Sequence, residues 1–297
     1  MTIRKLSPLL INQIAAGEVV DRPASVVKEL IENALDAGST RVDIQLLHGG
    51  KDLIRVSDNG CGIAPEELIL AVASHSTSKI TDEEDLAAIA SLGFRGEAVA
   101  SVGSVSHLTM TSRRQDDESA MQIVVDGGEV TNPKPLAASV GTTVEVRRLF
   151  YNTPVRRKFL KSDGSETTRV RDIVQRLAAA HHETSFLLKS GDRTILSYTA
   201  GLSTERLLDI FGGELSGEML EISGETDGVR LWGLVGKPEV ARPTSRYLRV
   251  HVNGRSITDA SISHAIKEAY RGFIEPNRWP TAAIFIEMDP SLVDVNV

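Results

Sequence analysis

The sequence predicts an α/β protein built as two units, and three observations carry the prediction. The stretch SVVKELIENALDAG, residues 25–38, repeats Val27, Leu30, Ile31, Ala34 and Leu35 at i, i+3, i+4, i+7 and i+8, the stripe of a helix that buries one face. Directly after it Val42, Ile44 and Leu46 alternate, HGGKD turns the chain, and residues 53–57 return as the second arm of a β-hairpin. Past TAGLST the helix and strand patterns begin afresh. At 297 residues, 41% hydrophobic and 25% charged, the chain can fill two cores. The boundary is expected near Ala200, giving units 1–200 and 201–297.

The elements follow in order. Residues 7–15 form a weak helix that GEVVDRP breaks; Pro23 and Ser25 then lead into the opening helix, and Gly38 is placed to end it. NGCGI is a sharp turn and PEELILAVAS a short helix. HSTSKI is polar, and TDEEDLAAIA opens with a capping box, Thr81 with Glu84. SLGFRGEA brings two glycines before another helix through about Gly103. Strands are expected near 104–112, 120–126 and 141–148, then an amphipathic helix over ETTRVRDIVQRLAAAHHE and a hairpin near 184–199. In the second unit a helix is expected at 204–211, strands near 217–223, 228–236 and 246–253, a helix at 259–271 and a strand at 281–288.

A net charge of −7 and a pI near 5.6 argue against a protein that coats nucleic acid with its whole surface, while leaving room for a local basic patch. RRLFYNTPVRRKFLK, residues 147–161, is such a run; on its own it reads as a solvated loop. The single cysteine, Cys61, excludes a disulfide framework or a cysteine metal site within the chain and suits a reducing cytosol. No stretch has the core of a secretory signal or the length of a membrane span, so a cytoplasmic protein is expected. There is no G-x-x-x-x-G-K-[ST] loop, no H-E-x-x-H and no G-x-S-x-G, and GCGIAP has Pro65 where a dinucleotide fingerprint needs its third glycine. Nucleotide binding would need another architecture.

The opening helix poses the sharper question. Glu29, Glu32 and Asp36 crowd its polar face with one sign of charge, and Asn33, a mediocre helix former, stands among them. Taken in order, ELIENALDAG, DNGCGI, SLGFRGEA and GTTVEV resemble the ATP-binding fold shared by gyrase-type topoisomerases, sensor histidine kinases, certain heat-shock chaperones and mismatch-repair ATPases, the GHKL superfamily. The strings NQIAAGEVVDRPASVVKELIENALDAG, GFRGEA, LFYNTPVRRKFL and VDVNV narrow the resemblance to the MutL family of mismatch-repair ATPases, from about residue 11 to Val297 and patchier between 162 and 245.

The resemblance implies a GHKL ATPase α/β sandwich followed by a smaller α/β domain of the ribosomal-protein-S5-like type. It makes Asn33 the ligand of Mg²⁺, which takes oxygen donors and keeps several waters. It makes Glu29, one turn earlier on the same face, the general base for the water that attacks the γ-phosphate of ATP. Asp58 is expected to accept from the adenine amine, with Thr143 assisting through water. Ala37, Gly60, Gly62 and Ile63 line the base, and Cys61 is read as a small packing residue. Residues 74–97 become a lid in which Gly93, Phe94, Arg95 and Gly96 offer backbone N–H groups to the phosphates, joined by Ser78 and Lys79. Asp36 is expected to support the site from behind and Glu32 to be exposed.

The resemblance further implies an arm over residues 1–20 that crosses an ATP-dependent homodimer, a clamp that closes on DNA, and MutS and a downstream nuclease or helicase as partners. Arg156, Arg157, Lys158 and Lys161 of the basic run, with Lys267 and Arg271 on one face of the second-unit helix, become candidates for sequence-independent DNA contacts. In the family VDVNV continues into a segment whose lysine reaches the γ-phosphate; a chain stopping at Val297 is expected to bind ATP and hydrolyse it poorly. A nucleotide-gated DNA-binding module with negligible turnover is the rival reading. A histidine kinase is disfavoured because no phosphoacceptor helix precedes the ATPase motifs.

Overall fold

The structure, a computed structural model, describes residues 17, 20–74, 76 and 97–293. The helices expected at 7–15 and over TDEEDLAAIA lie outside the described residues, as does almost all of the expected arm and lid. The contacts divide the chain into two compact units. One runs through Val174 and adds Thr184–Thr199; the other takes Gln175–Glu183 and everything from Ala200 onward.

In the first unit, helix α1 (Pro23–Asp36) starts with proline at its first position and buries Val26, Val27, Leu30, Ile31 and Ala34. Strands β1 (Arg41–Leu47) and β2 (Leu53–Asp58) form the hairpin, with Ile44 opposite Val56. Helix α2 is the single turn Leu68–Ala71, and α3 covers Ala98–Ser104. Strands β3 (His107–Arg113), β4 (Ala120–Asp126), β5 (Glu129–Val130), β6 (Lys134–Leu136) and β7 (Gly141–Arg147) follow. Next come helices α4 (Pro154–Phe159) and α5 (Asp163–Ala180), then strands β8 (Ser185–Ser190) and β9 (Arg193–Tyr198). Among the described residues these strands make one sheet in the order β5-β4-β3-β7-β2-β1-β8-β9, with β6 also on β4; β1 and β8 run parallel and every other pair is antiparallel.

One face of this sheet is apolar and packs under α1 and α3: Ile44, Leu46, Ile54, Val56, Leu108, Met110, Val144 and Val146 are all buried. The other face is polar, with Arg55 donating to Glu145 at 2.7 Å and to Gln45 at 3.2 Å, and Arg147 donating to Glu145 at 2.8 Å. Burying each aliphatic side chain is worth roughly 1.5–3 kcal/mol, whereas an exposed ion pair contributes about 1 kcal/mol or less. The aliphatic face therefore sets the register, since a slip of one residue would bury Arg55 and Ser57 instead.

The second unit has helix α6 (Ser203–Phe211), strands β10 (Met219–Thr226), β11 (Val229–Gly236), β12 (Leu248–Val252) and β13 (Arg255–Ile257), helix α7 (Ala260–Ala269) and strand β14 (Ala282–Glu287). The sheet order is β10-β11-β14-β12-β13, and β12 and β14 run parallel because α7 supplies the crossover. Leu248, Val250, Ala282 and Ile284 form a core with Ile262 and Ile266 of α7. Arg206 of α6, 2% exposed, donates to the carbonyls of Ala178, His181 and His182, satisfying the C-terminal end of α5 where cations are favoured. A mixed five-stranded sheet with a helical crossover is the smaller α/β unit expected from the sequence. Helix α7 stops two residues short of the expected end, so Arg271 lies beyond it.

On the opposite face of that sheet His251 is fully buried, stacked on Phe285 with ring centroids 4.7 Å apart, and its Nε2 lies 3.0 Å from the carbonyl oxygen of Arg176. Burial, with help from Arg249 and Arg176, depresses this imidazole to about 4 against the opposing pull of the Arg176 carbonyl. The folded unit thus binds the proton less readily than the unfolded chain. The stability conferred by neutral His251 is complete above pH 6.5 and is lost as pH falls towards 4, an effect of order 3 kcal/mol. Urea unfolding followed through Trp232, which stacks on Phe285 at 4.1 Å, will report it. His251→Gln is expected to be less stable at pH 7 and to lose less between pH 6.5 and 4; an unchanged acid response contradicts the assignment.

Candidate active site

The site is built around the end of β2. Asp58 follows Val56 on the apolar face of the sheet, where a carboxylate is out of place. Its Oδ1 accepts the Gly60 N–H at 2.8 Å and the Thr142 N–H at 3.3 Å. Among the described residues no donor reaches Oδ2. Burial pushes the carboxyl above its ordinary range, and the Gly60 and Thr142 N–H groups only partly offset that.

The surrounding backbone comes unusually close. Gly62 has φ +72°, and a Cβ there would collide with the carbonyl of Arg113. Gly141 has φ +113°, and a Cβ there would collide with the Asp58 carbonyl. Four further hydrogen bonds lock the turn. The Cys61 N–H donates to the Ala37 carbonyl at 3.0 Å, the Ile63 N–H to Ser112 Oγ at 2.9 Å, and Asn59 Oδ1 accepts from Thr40 and Arg41 N–H at 2.9 Å each. Gly60 thus lies against Ala37 and Asp58, while Gly62 packs on Arg113 and Ile63 is tied to Ser112, whose hydroxyl meets Thr142. Cys61 is exposed rather than packed.

Thr143 does not join them. It pairs with Ser57 across the sheet and donates to Ser57 Oγ at 3.0 Å, on the polar face. Thr142 occupies the expected place: it shares the face of Val144 and Val146, its N–H reaches Asp58, and its hydroxyl lies 2.8 Å from Ser112 Oγ. The signal was available as parity, since Thr142 is in step with Val144 and Val146 and Thr143 is not.

On α1, Glu29 and Asn33 are both half-buried and stand one turn apart on the same face. Glu32, expected to be exposed, is buried at 6% and ion-paired with Lys28 Nζ at 2.9 Å, while Asp36 is exposed. The crowding of like charge read from the sequence is thus relieved by Lys28. Ser78, Lys79, Gly93, Phe94, Arg95 and Gly96 lie outside the described residues.

The basic candidates separate. The guanidinium of Arg156 turns inward against Gly17 and is half-buried, so it does not face solvent with its neighbours. Arg157, Lys158 and Lys161 are exposed; Arg157 lies 3.3 Å from Asp52. Lys267 stacks its ammonium 4.6 Å from the Trp279 ring centre, and Arg271 pairs with Glu268. These two do not present one helical face, because α7 has ended before Arg271.

The residues present fit a nucleotide with an amine donor, since Asp58 Oδ2 is an acceptor held in place with nothing donating to it among the described residues. Asn33 offers an amide oxygen of the kind Mg²⁺ takes alongside waters and phosphate oxygens.

Residues 21–145 match the family model of histidine kinase-, DNA gyrase B- and HSP90-like ATPases, and residues 207–297 that of the C-terminal domain of DNA mismatch repair proteins. The chain is 49% identical over its whole length to the DNA mismatch repair protein MutL of Brucella abortus (strain S19), covering 48% of that protein. It is 47% identical to MutL of Paramagnetospirillum magneticum, covering 50% of it. The chain thus spans about half the length of the curated relatives it matches. Among solved structures, the Aquifex aeolicus MutL ATPase domain complexed with ADP superposes with a TM-score of 0.72 at 29% identity, over 92% of this chain and 94% of that one.

Proposed function

This chain belongs to the MutL family of DNA mismatch repair proteins, and from that premise we propose that it binds ATP with Mg²⁺, hydrolyses it slowly, and uses the bound nucleotide to drive N-terminal dimerisation and closure of a clamp on DNA. The observation that carries the reading is Asp58: a half-buried carboxylate fixed through one oxygen by two backbone N–H groups, with the other free of donors among the described residues.

Asp58 Oδ2 accepts the exocyclic amine of adenine and repels the oxygen that guanine carries there. Thr142, rather than Thr143, assists it from the neighbouring strand, and Ala37, Gly60, Gly62 and Ile63 form the wall against the base. Asn33 holds the metal through its amide oxygen; Mg²⁺, when bound, supplies charge neutralisation at the phosphate oxygens. Glu29 orients the attacking water and takes its proton. By the family resemblance, Ser78, Lys79 and residues 93–96 are assigned to the phosphates. In the whole protein, the closed clamp passes the signal from mismatch recognition, with MutS as partner, to strand incision by a nuclease, or to a helicase, in the cytoplasm.

Calorimetric titration with ATP and GTP in the presence of Mg²⁺ tests the site. A charged acceptor facing the wrong group costs about 1–3 kcal/mol, so ATP is expected to bind roughly 10–100-fold more tightly than GTP. Equal affinities would remove Asp58 from the adenine site.

Contacts to DNA are assigned to Arg157, Lys158 and Lys161, the exposed part of the basic run. Replacing all three by Glu is expected to weaken binding to non-specific duplex DNA by about tenfold or more at low salt, and to flatten the salt dependence by about one unit of slope for each phosphate no longer neutralised. Fluorescence anisotropy at two salt concentrations measures both. An unchanged slope returns these residues to a solvated surface.

A further inference from the structure

Lys28 is the only cation of α1. Its Nζ stands between two carboxylates, 2.9 Å from Glu32 Oε2 and 3.5 Å from Glu29 Oε1. The side chain of Glu32 is 8% exposed, that of Glu29 25% and that of Lys28 44%, so the ammonium reaches inward from the surface to a buried anchor. Burial pushes the Lys28 ammonium down, but Glu32 and then Glu29 pull it further up, and it stays charged.

Helix stability does not account for this arrangement. Lysine four residues before glutamate is the weaker order for a helical pair, worth a few tenths of a kcal/mol. Burying the Glu32 carboxylate carries a desolvation penalty that the pairing with Lys28 does little more than offset. Holding a lysine side chain still costs up to about 2 kcal/mol of rotamer freedom. What the triad does achieve is to restrain the flexible Glu29 side chain by a charge that is itself tethered. Lys28 thus pairs with Glu32 and Glu29 at once.

We propose that Lys28 is a positioning residue for the reaction: anchored by buried Glu32, it holds the Glu29 carboxylate in the orientation from which it can meet the attacking water. The inference rests on Glu29 being the base. It assigns Lys28 and Glu32 to turnover, not to nucleotide affinity, because a misdirected base slows chemistry without disturbing Asp58 or the metal ligand. Misplacement of a catalytic group by about 1 Å can cost up to 10²-fold in rate.

The test compares Lys28→Met, Lys28→Arg and Glu32→Gln with the parent, measuring single-turnover hydrolysis, the Kd of a non-hydrolysable ATP analogue with Mg²⁺, and the thermal midpoint. Lys28→Met is expected to lower the rate about tenfold or more with Kd within about twofold, Lys28→Arg to recover most of the rate, and Glu32→Gln to lower it less than Lys28→Met. A Lys28→Met rate equal to the parent's overturns the proposal, as does a parallel loss of affinity and thermal stability with no rescue by arginine, which marks a purely structural role. If Lys28→Met does not fold, Glu32→Gln decides: an unaltered rate overturns the proposal. Glu29→Ala with full activity instead removes the reading of Glu29 on which the inference stands.

Discussion

Glu29→Ala lowers the rate of ATP hydrolysis by about 10²–10⁴-fold, the contribution expected of a positioned general base, and leaves nucleotide affinity nearly unchanged. The separation follows from where the groups lie. Glu29 stands on α1, whereas the carboxyl that meets the base is Asp58 at the end of β2, fixed by Gly60 and Thr142. Removing Glu29 leaves the latter hydrogen bonds intact. It also frees Lys28 from one of its two carboxylates, so the variant is expected to keep its fold, with Lys28 still paired to Glu32. Single-turnover hydrolysis and a titration with a non-hydrolysable analogue, run on the same preparation, read the two quantities. Hydrolysis within a few-fold of the parent excludes Glu29 as the base.

Asp58→Asn is expected to do two opposite things at neutral pH: weaken ATP binding by roughly 10–100-fold and raise the stability of the nucleotide-free protein. Burial holds the Asp58 carboxyl above its ordinary range, so the folded state binds that proton more tightly than the unfolded chain does. The stabilising contribution of this group is therefore complete below its unfolded value and disappears as pH rises through the folded one. Above that point an ionised carboxylate strains the fold. Asparagine keeps an oxygen for the Gly60 and Thr142 N–H groups and carries no charge to desolvate. It replaces Oδ2 by an amine, which faces the adenine amine donor to donor. Urea unfolding at pH 7 and below pH 3.8 gives the stability arm, with a gain expected only at pH 7; calorimetry gives the affinity arm. A variant that binds ATP as the parent does, or one destabilised at pH 7, contradicts the account.

The same two residues mark how far sequence reasoning reaches. Glu29 and Asn33 are legible together because four residues on a helix return the chain to one face, whatever packs on the other. Asp58 was legible as the polar end of an alternating strand. Thr142 was not singled out, because GTT offers two candidate threonines and only the parity of Val144 and Val146 separates them. Ser112 was missed altogether; its hydroxyl receives the Ile63 N–H from 49 residues away, and nothing local to SRRQ announces it.

By itself the sequence determined the two α/β units, the helix that carries Glu29 and Asn33, the hairpin ending at Asp58 and the basic run, because each depends on periodicity and turn chemistry within a few residues. Tertiary structure alone decided which long charged side chains remain available. Glu32 is buried against Lys28, Arg156 turns in to Gly17, Lys267 lies on Trp279, and Arg157, Lys158 and Lys161 stay in solvent. The physical reason is reach. A lysine, arginine or glutamate side chain has several rotatable bonds, and its end point is fixed by whichever carboxylate, ring or backbone the fold brings within a few ångströms, a choice that spacing along the chain does not contain.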